Sequence, residues 1–137
     1  KTGGETDMIL QTTLSLAAAA AIINIWIAMR IGKLRMAHKI VHGDGGNAQL
    51  AHRIRAHLNF IENTPLTLIL IAGIELTEKG GQWLAIVGAL FMLGRVSHAI
   101  GMDSETPNAW RAAGTLSSML TQVGLAAVAV LIALGRF

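Results

Sequence analysis

Four long apolar stretches, separated by short polar ones, make up most of this chain. They fall at approximately 8–36, 48–77, 82–101 and 108–134. Each approaches the roughly 20 residues needed to cross a bilayer core. That core holds no water to satisfy backbone groups, so the pattern predicts helices. The first stretch is apolar from Leu14 to Met29 except for Ser15 and Asn24, and its Ala17–Ala21 run suits close helix packing in lipid. It is too long for a signal-peptide core and has no small-x-small cleavage site, so it reads as a retained helix. The second stretch starts polar, with Gln49, His52, Arg53 and Arg55, and continues in nearly pure Leu, Ile and Thr. Pro65 lies inside it and removes a backbone donor, which predicts a kink just past Glu62. The third carries Arg95 and His98 near its end. The fourth has Arg111 in its first turns, with Thr106 or Asn108 available as a cap.

Composition agrees with this pattern. Of 137 residues, 53% are hydrophobic and only 14% charged. The mean hydropathy of +0.53 is too high for an ordinary soluble domain. The length fits one domain. The expected fold is therefore an all-α integral membrane four-helix bundle. Helices this short enclose little volume, so a sizeable ligand site is expected between protomers.

The net charge of +3 does not point to nucleic acid. The cations cluster in one loop and its flanks, at Arg30, Lys33, Arg35, Lys39, Arg53 and Arg55, while the opposite side has Lys79, Lys1 and Arg136. This asymmetry predicts that the loops at 37–47 and 102–107 face the cytoplasm, with both termini on the other side. Arg30, Arg55, Arg95, His98 and Arg111 then share one membrane depth.

Arg55, Asn59 and Glu62 recur at i, i+4 and i+7, on one helix face. Ionisable groups are costly in lipid and mark a site or a buried pairing. As a site, Arg55 would grip a carboxylate in two-pronged fashion, Asn59 would donate and accept, and Glu62 would hold an ammonium. As a pairing, Glu62 would neutralise Arg95 or Arg55. Arg95 is expected to play a structural role, and His98 either to cap a carbonyl or to line the site. Arg111, beside the positive end of a helix, is the residue type that stabilises a thiolate or carboxylate.

The chain has no Cys, so any thiol must come from a substrate. His38 and His42 are spaced i, i+4, but no Cys or acidic partner completes a metal set, and no metal site is expected. Gly43-Asp44-Gly45-Gly46 reads as a turn. It lacks the Lys-Ser/Thr of a phosphate loop.

Arg-x-x-x-Asn-x-x-Glu followed by Pro, here Arg55, Asn59, Glu62 and Pro65, resembles the helix-two signature of the MAPEG superfamily, the membrane-associated proteins in eicosanoid and glutathione metabolism. Gly94-Arg95-Val96-Ser97-His98 looks like its helix-three signature, and Arg111 falls where the helix-four arginine is expected. The resemblance covers nearly the whole chain and, with its short first loop, is similar to a bacterial inner-membrane branch. It implies a homotrimer with glutathione as co-substrate between protomers, open to the cytoplasm. Arg55, Asn59 and Glu62 would hold the tripeptide, Arg95, His98 and Arg30 would lie at the same site, and Arg111 would stabilise the thiolate. Several glutathione-using members carry tyrosines on helices three and four. This chain has none, and Met102 stands one turn beyond His98.

The resemblance implies a glutathione-dependent transferase or peroxidase acting on lipophilic electrophiles. Two other readings share the same residues. One is a non-catalytic membrane protein binding another small anionic or zwitterionic ligand. The other is a structural helix bundle in which the polar cluster only locks the helices together.

Overall fold

The computed structural model describes residues 10–137 and contains four helices. They are α1 (Gln11–His38), α2 (Ala48–Leu76), α3 (Gln82–Gly101) and α4 (Ala109–Ala133). The expected start of the first helix at Met8, and Lys1, lie outside the described residues. At its other end α1 runs through His38, two residues past the expected stop. The reversal comes at Lys39, in the left-handed region at φ 54°, whose N–H bonds the Arg35 carbonyl.

By length and composition α1, α3 and α4 are long and apolar enough to cross a membrane. The 29-residue α2 differs because Arg53, Arg55, Glu62 and Glu75 interrupt its apolar stretch. It nonetheless packs along the other helices as one continuous element through Pro65. The outward faces of the bundle are apolar. Ile22 and Ile25 on α1, Leu90 and Leu93 on α3, and Leu120 and Val123 on α4 are all exposed. Large apolar residues turned outward are what a bilayer solvent selects. The chain is an all-α membrane bundle.

The core is built from Ile27, Phe60, Ile71, Ile74, Leu84, Phe91 and Leu125. Helices α3 and α4 make the most intimate pair, because small residues line their seam. A Cβ on Gly114 would stand 2.5 Å from the Gly94 carbonyl oxygen and 2.5 Å from the His98 Cβ. A Cβ on Gly101 would fall 2.7 Å from the Arg111 Cα. Close backbone approach of this kind is how helices gain contact where lipid competes for apolar surface. It also sets Arg111 directly against the end of α3.

Polar ties join α2 to α1 and to α4. His57 Nε2 on α2 meets Asn24 Oδ1 on α1 at 2.8 Å. Gln122 on α4 donates to Asn63 Oδ1 on α2 at 3.0 Å. Glu75, at the far end of α2, accepts from the Thr12 and Thr13 backbone N–H groups at 2.8 and 2.9 Å and from the Thr13 hydroxyl at 2.8 Å. The Leu10 N-cap makes no side-chain cap of its own. A carboxylate from a neighbouring helix thus satisfies orphan donors at the positive end of α1.

Candidate functional site

The site forms at the end of the bundle where α1 and α3 terminate and α2 and α4 begin. Asn47 caps α2 by accepting from the Leu50 N–H at 2.8 Å. Asn108 caps α4 by accepting from the Arg111 N–H at 3.0 Å. These caps set where each helix starts and so the height at which Arg55 and Arg111 emerge.

On α2, Arg55, Asn59 and Glu62 share one face, but the structure treats them differently. Arg55 Nη1 lies 3.4 Å from Glu62 Oε1, and both side chains are more than half exposed, at 58% and 53%. Asn59 is half-buried and turned inward. Arg95 on α3 is only 2% exposed. Its Nη1 donates to Asn59 Oδ1 and its Nη2 donates to the Gly114 carbonyl on α4 at 2.7 Å. The guanidinium also lies 5.6 Å from the centre of the Phe91 ring.

Of the two pairings the sequence allowed for Glu62, the structure therefore forms the one with Arg55. The alternative, Arg95 neutralising Glu62, is corrected. Arg95 reaches Asn59 because its stem is buried between α2 and α4, on the inner side of the face that carries Glu62. With Arg95 bonded to the Asn59 side-chain oxygen, the side-chain NH2 is free of hydrogen-bond partners among the described residues and can donate to an incoming group. Asn59 is set up as a donor.

His98 is buried on α3, packed against Gly114 of α4. It makes no side-chain hydrogen bond among the described residues, so the carbonyl-capping role is not seen. His98 lies three residues beyond Arg95 on α3 and packs against α4, the helix whose first turns carry Arg111. A single chain thus joins α2, α3 and α4 through Arg95, Asn59 and Gly114. Arg111 itself is exposed and lines a cleft of about 400 Å³ with Pro107, Asn108, Thr115 and Met119. Its own N–H is taken by Asn108, so any anion there meets the guanidinium rather than that backbone donor.

Arg30 belongs to a different arrangement. It forms an ion pair with Asp103 and donates to the Ala99 carbonyl at 3.2 Å, with its guanidinium 4.9 Å from the Trp26 ring centre. Arg53 joins the same carboxylate at 3.2 Å and donates to the Arg30 carbonyl at 2.9 Å. Asp103 therefore ties α1 and α2 to the loop after α3. Sequence reasoning assigned no partner to Asp103, Asn24, His57 or Glu75. For Asp103 a signal existed, since a carboxylate on the arginine-rich side of the chain is a natural partner.

A model of the MAPEG family matches residues 13–131, most of the chain. The chain belongs to the MAPEG family. Among its relatives is the inner membrane protein YecN of Escherichia coli strain K12, 28% identical over 98 residues. The alignment covers 72% of this chain and 74% of that relative. YecN from a second strain of the same species gives the same values. The matched region takes in all of α2 and α3 and all the candidate site residues. Arg30, Arg55, Asn59, Glu62, Arg95, His98 and Arg111 are thus residues of a MAPEG-family bundle, and this chain's network runs through the helices that the family model spans.

Proposed function

We propose that this MAPEG-family membrane protein binds glutathione and presents its thiolate to lipophilic electrophiles dissolved in the bilayer. The observation that carries this reading is the exposed Arg55–Glu62 pair on the same helix face as Asn59, which Arg95 ties to α3 and α4, the helices of His98 and Arg111. A charge pair on the outside of an apolar bundle is costly against lipid. A zwitterionic peptide covering it would turn that cost into recognition. Arg55 would take a ligand carboxylate, the Asn59 NH2 a second acceptor, and Glu62 the ammonium. Arg111 would hold the sulfur as thiolate, since a nearby cation lowers a thiol pKa. The thiol proton leaves to solvent, and the sulfur lone pair forms a C–S bond as the electrophile's leaving group departs with its electrons. With a hydroperoxide the thiolate would instead attack the terminal oxygen. The O–O bond would break as the alkoxide leaves with its electron pair and takes a proton to become the alcohol. A second glutathione thiol would then attack the resulting sulfenic acid to form the disulfide with loss of water.

The same exposed pair supports a homotrimer, because a neighbouring protomer would close the open side of the site. In this reading Arg30, held by Asp103, stays at the rim. The arginine-rich end would face the cytoplasm by the positive-inside rule, with both termini opposite. The name of the relative supports a bacterial inner membrane.

A thermal-unfolding scan of detergent-purified protein with millimolar glutathione tests binding. At about 100 times its dissociation constant a ligand stabilises the fold by roughly 2.7 kcal/mol. The parent should shift upward and Glu62→Ala should not. Conjugation of a lipophilic electrophile then tests chemistry. Arg111→Ala conjugating as fast as the parent would remove Arg111 from the mechanism. The absence of tyrosine supports a second reading, a binding protein without turnover. It predicts that a desulfurised glutathione analogue binds as well as glutathione and that no conjugate forms.

A further inference from the structure

The end of α1 and the loop behind it carry Lys33, Arg35, His38, Lys39 and His42 within ten residues. Arg35 is half-buried and turned onto its own loop. Its Nη1 donates to the Gly43 carbonyl at 2.7 Å, and its own carbonyl accepts from the Ile40 N–H at 3.0 Å. Ile40 packs against the backbone of Gly45, where a Cβ would stand 2.9 Å from its Cδ1. Asp44 accepts from the Gly46 N–H at 2.9 Å and so faces its own turn. The loop is therefore a built platform rather than a loose connection.

Two apolar side chains and two lysines point outward, beside the exposed His38 and His42. Met36 is 81% exposed and Val41 77%, more than any other large hydrophobic residue among the described residues. With Arg35, Lys39 and Ile40 they line a shallow cleft of about 390 Å³. Lys33 lies one turn before Met36 on the same helix face. Neither Lys33 nor Lys39 has a carboxylate within ion-pair distance among the described residues. The platform stands at the end of a helix long and apolar enough to cross the membrane, where headgroups are found.

We propose that this cleft is a binding site for an anionic phospholipid of the surrounding bilayer. Lys33 and Lys39 would take the phosphate, and Met36 and Val41 would lie against the glycerol and upper acyl chain. Basic residues just beyond a membrane helix attract anionic headgroups. The exposed apolar pair selects an amphiphile over a soluble anion, because a free phosphate has nothing to cover it. None of these residues belongs to the proposed glutathione site, so the two readings stand or fall separately.

The test is native mass spectrometry of the full chain released from nanodiscs of mixed phosphatidylcholine and phosphatidylglycerol, counting phosphatidylglycerol retained. The parent should retain it above its share of the bilayer. The double substitution Lys33→Gln, Lys39→Gln should lower that enrichment about tenfold or more. Met36→Ser with Val41→Ser keeps every charge and should also lower it. Arg35 is left intact so that the loop keeps its fold, and circular dichroism checks the helices. Three results would overturn the proposal. They are enrichment unchanged in the lysine variant, enrichment unchanged in the Met36/Val41 variant, or displacement of the lipid by glycerol phosphate at equal concentration, which would make this a site for soluble anions.

Discussion

Arg95 and Arg55 both lie within a helical turn or a hydrogen bond of Asn59, yet they are opposite kinds of arginine. Arg95 is buried, with both Nη groups bonded across to α2 and α4. Arg55 is exposed and holds Glu62 at 3.4 Å, a loose pair by the standard of charged hydrogen bonds. One guanidinium is committed to the fold and the other is available. The difference shows why an arginine inside a membrane bundle cannot be assigned to ligand or structure by residue type. The deciding facts are whether its donors already have buried acceptors and whether water or a ligand can reach it.

This contrast yields expectations that differ in size. Arg95→Ala should be the most damaging change. It leaves the Asn59 amide oxygen and the Gly114 carbonyl without their donor and opens a cavity beside Phe91, at about 3 kcal/mol or more. An SDS-titration unfolding curve would show it as a large drop in midpoint. A midpoint within error of the parent would mean that Arg95 is not the tie described here. Gly114→Ala strikes the same network from α4. Its Cβ meets backbone and the His98 Cβ rather than a flexible chain end, so overpacking of about 1–3 kcal/mol is expected in the same assay.

Glu75→Gln probes a polar group that is remote from the site and committed to structure. It keeps the shape and loses the charge that caps α1, and about 1 kcal/mol of stability should go with it. Glutathione binding should be unaffected. Glu62→Ala is the opposite case. Exposed ion pairs contribute about 0–1 kcal/mol, so its unfolding midpoint should barely move. The glutathione-dependent shift should vanish all the same. If Glu62→Ala instead destabilised the protein as much as Arg95→Ala, the two arginines would not differ in kind, and the structural-bundle reading would gain ground.

The fold was largely legible in the chain because a membrane leaves few options. Four apolar stretches had to be helices, and their ends were marked by turn residues and charges. Asn108, one of two caps foreseen for α4, is the one that forms. The two ends of α1 were less legible. Its C-terminal stop depends on Lys39 adopting a left-handed conformation, a conformation glycine usually provides. Its first turn is capped by Glu75, which is more than sixty residues away in the chain.

What periodicity settled was which residues of α2 share a face, since a helix repeats every 3.6 residues whatever it packs against. It placed Arg55, Asn59 and Glu62 together. It did not choose their partners. Arginine has a long stem and several donors, so Arg30 and Arg95 each had more than one acceptor within reach. The rotation of each helix and the close α3–α4 approach through Gly94, Gly101 and Gly114 made the choice. They put the Gly114 carbonyl and the Asn59 amide in front of Arg95, and Asp103 in front of Arg30 and Arg53. Local sequence dictates the helices because each helix satisfies its own backbone. Side-chain pairing across helices depends on distances that exist only once the bundle has packed.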